Sequence, residues 1–192
     1  LSVWAKNISA PPDGGKSTLF RGQERQSNRD HDRYLVIRGS DQTLCFFDGD
    51  DVGLDNRFRS SNYFVDSLNL NGWHHFAAVG VGARTRFYVD GVFVGDADRK
   101  EESDIRFVGN SGSLSQEELF AEYLDDVRIY GATLSDYEIS SVYGGGFGDQ
   151  FPSLKIEENS SIEANPIVLK LNFGKDGSTF PVGGLSTLSL IH

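Results

Sequence analysis

The 192-residue chain contains no methionine, one cysteine and five prolines. A single thiol excludes an intramolecular disulfide framework and any metal site built from several thiolates. Cys45 sits in the apolar run Thr43-Leu44-Cys45-Phe46-Phe47, where a buried, inert thiol is the expectation. Long apolar runs are missing as well. Nothing approaches the roughly 20 residues that span a bilayer, and no signal-peptide pattern opens the chain, so membrane insertion is not expected. With no initiating methionine, and with Leu1-Ser2-Val3-Trp4-Ala5-Lys6 already reading as strand, the sequence is expected to be a piece of a longer protein. Positive charge is scarce. Lys and Arg number 18 against 28 Asp and Glu, a net charge of −10, which disfavours nucleic acid and anionic lipid and leaves cations or neutral ligands such as glycans as better partners.

What is present is a succession of short alternating segments. Strands are predicted over residues 1–7, 17–21, 33–38, 43–48 and 58–65, separated by clusters such as Pro11-Pro12-Asp13-Gly14-Gly15 and Asp48-Gly49-Asp50-Asp51-Val52-Gly53. Many short strands punctuated by Gly and Asp point to a sandwich or barrel. Asp90-Gly91 lies between Phe87-Tyr88-Val89 and Val92-Phe93-Val94, a two-residue hairpin turn needing positive φ. One short helix is predicted near residues 135–143. Ser135 and Glu138 form its capping box, Leu134, Ile139, Val142 and Tyr143 its apolar side, and Gly144-Gly145-Gly146 its stop.

Alternation also sorts the chemistry-bearing residues. Trp73, His75, Ala77 and Val79 share one face of their strand, and this row is expected to fill the space between two sheets. His75 then reads as a structural histidine or, less simply, as a metal ligand or catalytic base without a second His at metal spacing. Asp125 shares a face with Leu119, Ala121, Tyr123, Val127 and Ile129, so its carboxylate is expected to point inward and to need a partner. Glu118, Glu122 and Asp126 lie on the opposite face. Neighbouring acids there are four residues apart, about 13 Å along a strand, too far for the paired acid and base of a glycosidase. The loop supplying Asp48, Asp50, Asp51, Asp55 and Asn56 offers closely spaced oxygen ligands for Ca²⁺, or is simply a solvated hairpin loop. Tyr34, Tyr63 and Phe93 could stack on sugar rings or pack in the core.

The segments Gly72-Trp73-His74-His75-Phe76-Ala77-Ala78-Val79, Arg86-Phe87-Tyr88-Val89-Asp90-Gly91, Leu124-Asp125-Asp126-Val127-Arg128-Ile129-Tyr130 and Leu134-Ser135-Asp136-Tyr137-Glu138-Ile139 resemble, in this order, the laminin-G-like and pentraxin-like jelly-roll domains of the concanavalin A lectin/glucanase class. The resemblance covers about residues 1–146. It implies an all-β, two-sheet antiparallel jelly-roll sandwich in which Trp73, His75 and Asp125 are scaffold. It also implies an extracellular recognition module at the cell surface or secreted, binding a glycan or an extracellular protein, with Ca²⁺ as the cofactor to consider. Asn110 and Glu118 fall where pentraxins carry several calcium ligands, and with Tyr63 they are the candidate ligand-binding residues. The alternatives are a glycoside hydrolase of the same architecture acting on a β-glucan, and a spacer or adhesion domain. Residues 147–153 are expected to be a linker, and residues 154–192 either the opening of a following immunoglobulin-like β domain or strands completing the first.

Overall fold

The computed structural model describes residues 1–22, 33–49, 57–100, 105–110, 118–145 and 168–171. They form an antiparallel two-sheet sandwich. In chain order the strands are β1 (Ser2–Ile8), β2 (Lys16–Gly22), β3 (Arg33–Arg38), β4 (Thr43–Phe47), β5 (Phe58–Phe64), β6 (Trp73–Val81), β7 (Arg84–Val89), β8 (Val92–Ala97), β9 (Ile105–Val108) and β10 (Ala121–Tyr130). Helix α1 (Asp136–Gly144) follows, and then β11 (Val168–Leu171). One sheet runs β11-β10-β1-β6-β7-β8 and the other β5-β4-β3-β2-β9. The sequence boundaries of the early strands hold to within about a residue, because turn residues end each apolar run.

The core lies between the sheets. Val3, Ala5, Phe76, Ala78, Phe87, Val89 and Val127 from the six-stranded sheet meet Leu19, Phe20, Leu35, Ile37, Leu44 and Phe46 from the five-stranded sheet. Burying each such side chain contributes about 1.5–3 kcal/mol for the larger ones, which makes this layer the main source of stability. Phe120 joins it edge-on to Phe76, with ring centroids 5.3 Å apart. At one flank the layers touch backbone to backbone, since a Cβ on Gly95 (φ 149°) would stand 2.1 Å from the Ser61 carbonyl oxygen.

Two expectations about facing are corrected here. Phe76 and Ala78 point into the sandwich, so the row carrying His75, Ala77 and Val79 faces outward, where Leu134 and Ile139 cover Ala77, Val79 and Tyr88. Alternation divides a strand into two faces but does not say which one meets the other sheet, and here a helix buries the second face too. On β10 the phase itself slips. Ser2 pairs with Arg128 and Trp4 with Asp125, so Val3 opposes two residues, Asp126 and Val127, in a β-bulge where Asp126 adopts φ 48°. Asp125 is therefore only half-buried, and it is Asp126 that is buried.

The Asp90-Gly91 turn forms as expected, with φ 49° and 76°. Ser135 caps α1, its Oγ accepting from the Glu138 amide while the Glu138 carboxylate accepts from the Ser135 amide. The linker and following-domain reading of residues 147–192 falls outside the described residues except for β11, which pairs antiparallel with β10 from Val127↔Leu171 to Tyr130↔Val168.

Candidate functional site

The outer face of the five-stranded sheet carries a mixed aromatic and cationic surface. Pairing places Lys16 opposite Arg38 and Arg21 opposite Arg33 across β2 and β3, Arg33 opposite Phe47 across β3 and β4, and Phe47 opposite Phe58 across β4 and β5. On the other side of β2, Arg21 lies opposite Phe107 of β9. Paired residues share a face, so these side chains stand together. Val36, Cys45, Phe47 and Phe58 form their apolar floor, and Cys45 is buried as the sequence suggested. Burial also pushes its thiol above the ordinary range.

Cations lie over the rings. Lys16 Nζ is 4.7 Å and Arg33 Cζ 4.8 Å from the Phe47 ring centroid, with Arg57 Cζ at 6.0 Å. Arg38 Cζ is 5.8 Å from the Phe58 ring and Arg21 Cζ 5.3 Å from the Phe107 ring. Such contacts suit guanidinium groups, whose stems also shield apolar surface.

Glu118 enters this face because Leu119 bridges to Thr18 of β2. Its Oε2 accepts from Thr18 Oγ1 at 2.7 Å and from Arg33 Nε at 2.9 Å, while Oε1 accepts from Arg33 Nη2 at 3.2 Å. Lys16 Nζ lies 3.2 Å from Oε1. Both carboxylate oxygens are engaged by this fork. A second pair closes the face at the β3–β4 turn, where Arg38 donates to both oxygens of Asp41, and that bonding holds the Asp41 carboxyl below its usual range.

The opposite outer face is roofed. Under α1, His75 is 1% exposed and lies among Trp4 and Tyr143, with ring centroids 5.5 Å and 6.1 Å away, while Trp4 and Tyr143 stack at 5.4 Å. Neither His75 ring nitrogen has a hydrogen-bond partner among the described residues. Burial first, and then Arg128, lower its pKa to about 4, against a smaller opposing pull from Asp90 and Asp126. Arg128 and Asp126 form a buried forked ion pair, with Arg128 Nε donating to Asp126 Oδ1 at 2.8 Å. Desolvation of this kind is compatible with a neutral scaffold imidazole.

The other predicted site residues scatter. Asp48 is buried, with its Oδ2 3.3 Å from Arg99 Nε and 3.9 Å from Arg59 Nη2. Asp50, Asp51, Asp55 and Asn56 lie outside the described residues. Among the described residues no group of three or more His, Cys, Asp or Glu is placed to hold a metal ion. Tyr63 is half-buried and packs against the core, and Tyr34 is buried there. Asn110 follows β9 and is half-buried. Trp73 is half-buried at the start of β6. Glu122 accepts from Asn7 of β1, so it serves the six-stranded sheet while Glu118 serves the other.

Sequence reasoning missed Asp90, which binds beyond its turn. Its Oδ1 accepts from the His75 amide at 2.9 Å and its Oδ2 lies 2.7 Å from His74 Nδ1, tying the hairpin tip to β6. It also missed the cationic pairs, whose residues are scattered from position 16 to 57 and are assembled only by strand register.

These features define an antiparallel jelly-roll sandwich with one helix-covered and one cation-bearing face. The profile of Laminin_G_3, the concanavalin A-like lectin/glucanases superfamily, matches residues 1–140, and the chain belongs to that family. No curated protein sequence matches it. Among solved structures it is similar to domain 4 of AbnA, a GH43 extracellular arabinanase from Geobacillus stearothermophilus in complex with arabinotriose. That similarity has TM-score 0.49 and 18% identity over 73% of this chain and 63% of that one. A sialidase of Trypanosoma rangeli, in complex with 2,3-difluorosialic acid, gives 0.47 and 14% over 75% of this chain and 22% of that one. An S-layer domain-containing protein of Clostridium thermocellum gives 0.32 and 22% over 67% and 63%. This chain thus spans less than two thirds of each of those chains. No helix among the described residues is long and apolar enough to cross a membrane.

Proposed function

We propose that the chain is a non-catalytic glycan-recognition module of a secreted or surface protein, and that it meets its ligand on the outer face of the five-stranded sheet. One observation carries this reading: the Phe107 ring, 41% exposed, stands on that face beside the half-buried Arg21 guanidinium. Sugars are held by stacking an apolar ring face on an aromatic while fixed polar groups bond the hydroxyls. Membership of a superfamily that includes lectins supports the same reading. Against catalysis stands the state of Glu118, whose two oxygens already hold Thr18, Arg33 and Lys16, and the engagement of Glu122 on the other sheet.

Binding of the labelled chain to an oligosaccharide array tests the proposal. Phe107→Ala is expected to weaken binding without lowering the melting temperature. Turnover of a β-glucan, lost in Glu118→Gln or Glu122→Gln, would replace this reading with a hydrolase. Silence in both assays would leave a spacer or adhesion domain. Calcium is separable. Because Asp48 already neighbours two guanidinium groups, millimolar Ca²⁺ is expected to leave the melting temperature unchanged, whereas a site present only in the native state would raise it.

A further inference from the structure

We infer that the last turn of α1 is an acid-operated latch: protonation of His75 beneath it drives Tyr143 off Trp4 and unwinds the turn, while the first turn stays pinned and the sandwich stays folded. The latch lies on the six-stranded sheet and the proposed glycan surface on the other, so failure of either leaves the other standing.

The space under the turn suits a neutral ring. His75 is 1% exposed, and neither of its ring nitrogens has a hydrogen-bond partner among the described residues. An imidazolium there would carry two buried N–H donors with nothing to receive them. The nearby acids are already committed. Asp126 of β10 bonds Arg128 through both oxygens, and Asp90 at the hairpin tip bonds the His75 amide through one and lies against His74 through the other. Two positive groups act on the ring as well, Arg128 from β10 and the terminal amino group of Leu1, and both oppose a further positive charge. Trp4 of β1 and Tyr143 of α1 bring aromatic rings to it.

The two ends of the helix are held differently. At its start the Asp136 carboxylate accepts from Arg86 Nη1 and from the Tyr88 hydroxyl, each at 2.7 Å, and Leu134 and Ile139 cover Ala77, Val79 and Tyr88. Bonds from Tyr88 and Arg86 hold the Asp136 carboxyl below its ordinary range, and bonds from Ser135 do the same for Glu138, so both anchors stay charged in mild acid. The last turn carries no basic residue. It rests on buried Val142 and on Tyr143, which stacks on Trp4 at 5.4 Å and lies so close to Gly91 that a Cβ there would stand 2.9 Å from its ring. The weaker end of the helix is therefore the end above the histidine.

Proton linkage gives the direction. The His75 pKa is about 4 with the turn closed against 6.5 as its ordinary value, so the open turn binds more protons. Closure is complete above about pH 6.5 and weakens as pH falls toward about 4. From about pH 7 to about pH 4.5 the opening equilibrium should rise about 60-fold.

NMR-detected hydrogen exchange of the whole chain at those two pH values, corrected for the intrinsic pH dependence of exchange, tests the latch. The amides of Val142, Tyr143, Gly144 and Gly145 are expected to be at least about tenfold less protected than those of β3 and of Ile139, which the Ser135 carbonyl holds. Between about pH 7 and about pH 4.5 they should lose protection by a further factor of about 60. His75→Phe should abolish that loss, and His75→Gln carries the same readout if the phenylalanine variant does not fold. Protection of the turn that is unchanged by pH would overturn the latch, because the turn would then fray without releasing the histidine. Protection equal to that of β3 at both pH values would overturn it too, since the turn would open only with the whole sandwich. So would an undiminished pH effect in a folded His75 variant, or a last turn already unprotected at about pH 7.

Discussion

The two outer faces of the sandwich bury apolar surface by different means. On the six-stranded sheet a helix does it: Leu134 and Ile139 close over Ala77, Val79 and Tyr88, and the aromatic stack of Trp4, His75 and Tyr143 sits beside a sealed Asp126–Arg128 pair. On the five-stranded sheet long side chains do it, with Lys16, Arg33, Arg38 and Arg57 lying over Phe47 and Phe58. The same residue types therefore play opposite parts. Charge under the helix is internal and satisfied by its own partner, whereas charge on the other sheet is partly open to solvent at Lys16 and Arg38. A side chain cover can be rearranged by a ligand at the cost of a few rotamers, and a docked helix cannot.

Four measurements would break or sharpen this contrast. The largest effect is expected from Arg128→Ala, which strands the buried Asp126 carboxylate and should cost about 3–5 kcal/mol in urea unfolding. A loss below about 1 kcal/mol would mean that the pair is wetter than its burial indicates.

His75 comes next. Its pKa is about 4 in the folded chain against 6.5 as the ordinary value, so the unfolded chain binds more protons between those limits. Stability is expected to be complete above about pH 6.5 and to fall by on the order of 3 kcal/mol as pH drops toward about 4. His75→Phe should flatten the curve within that window, and an unchanged curve would show that other groups set it.

Ser135→Ala removes the hydroxyl half of the capping box and should cost about 1 kcal/mol, loosening the helical roof before the sheets. Hydrogen exchange of the Asp136–Gly144 amides checks this against those of β3. The smallest effect is expected on the open face. Lys16→Ala should change stability by less than about 1 kcal/mol, because the ion pair is partly solvated and Arg33 still holds Glu118. A larger loss would place Lys16 with the structural charges.

Much of the scaffold was legible beforehand because its signals are local. The Asp90-Gly91 turn needs two positive φ angles, the Ser135–Glu138 box spans four residues, and each early strand is bounded by its own turn cluster. Facing was not legible. Both rows of β6 are apolar, one for the second sheet and one for the helix, so the pattern could not rank Phe76 and Ala78 against His75 and Val79. Asp125 and Asp126 exchanged expected places because a bulge adds a residue whose presence only pairing with β1 reveals. One signal was available there: Asp126-Val127-Arg128 puts opposite charges two apart, where a strand brings them to one face. The cationic face was invisible for a different reason. Net charge pointed to neutral ligands, while the five cations are spread over some forty residues and only the register of β2, β3 and β4 collects them.

The contact between Gly95 and Ser61 fixes how closely the two layers approach at that flank. Main chain meets main chain there, with no room for a side chain between them. Even a methyl group at position 95 would act as a wedge, prying the seam apart.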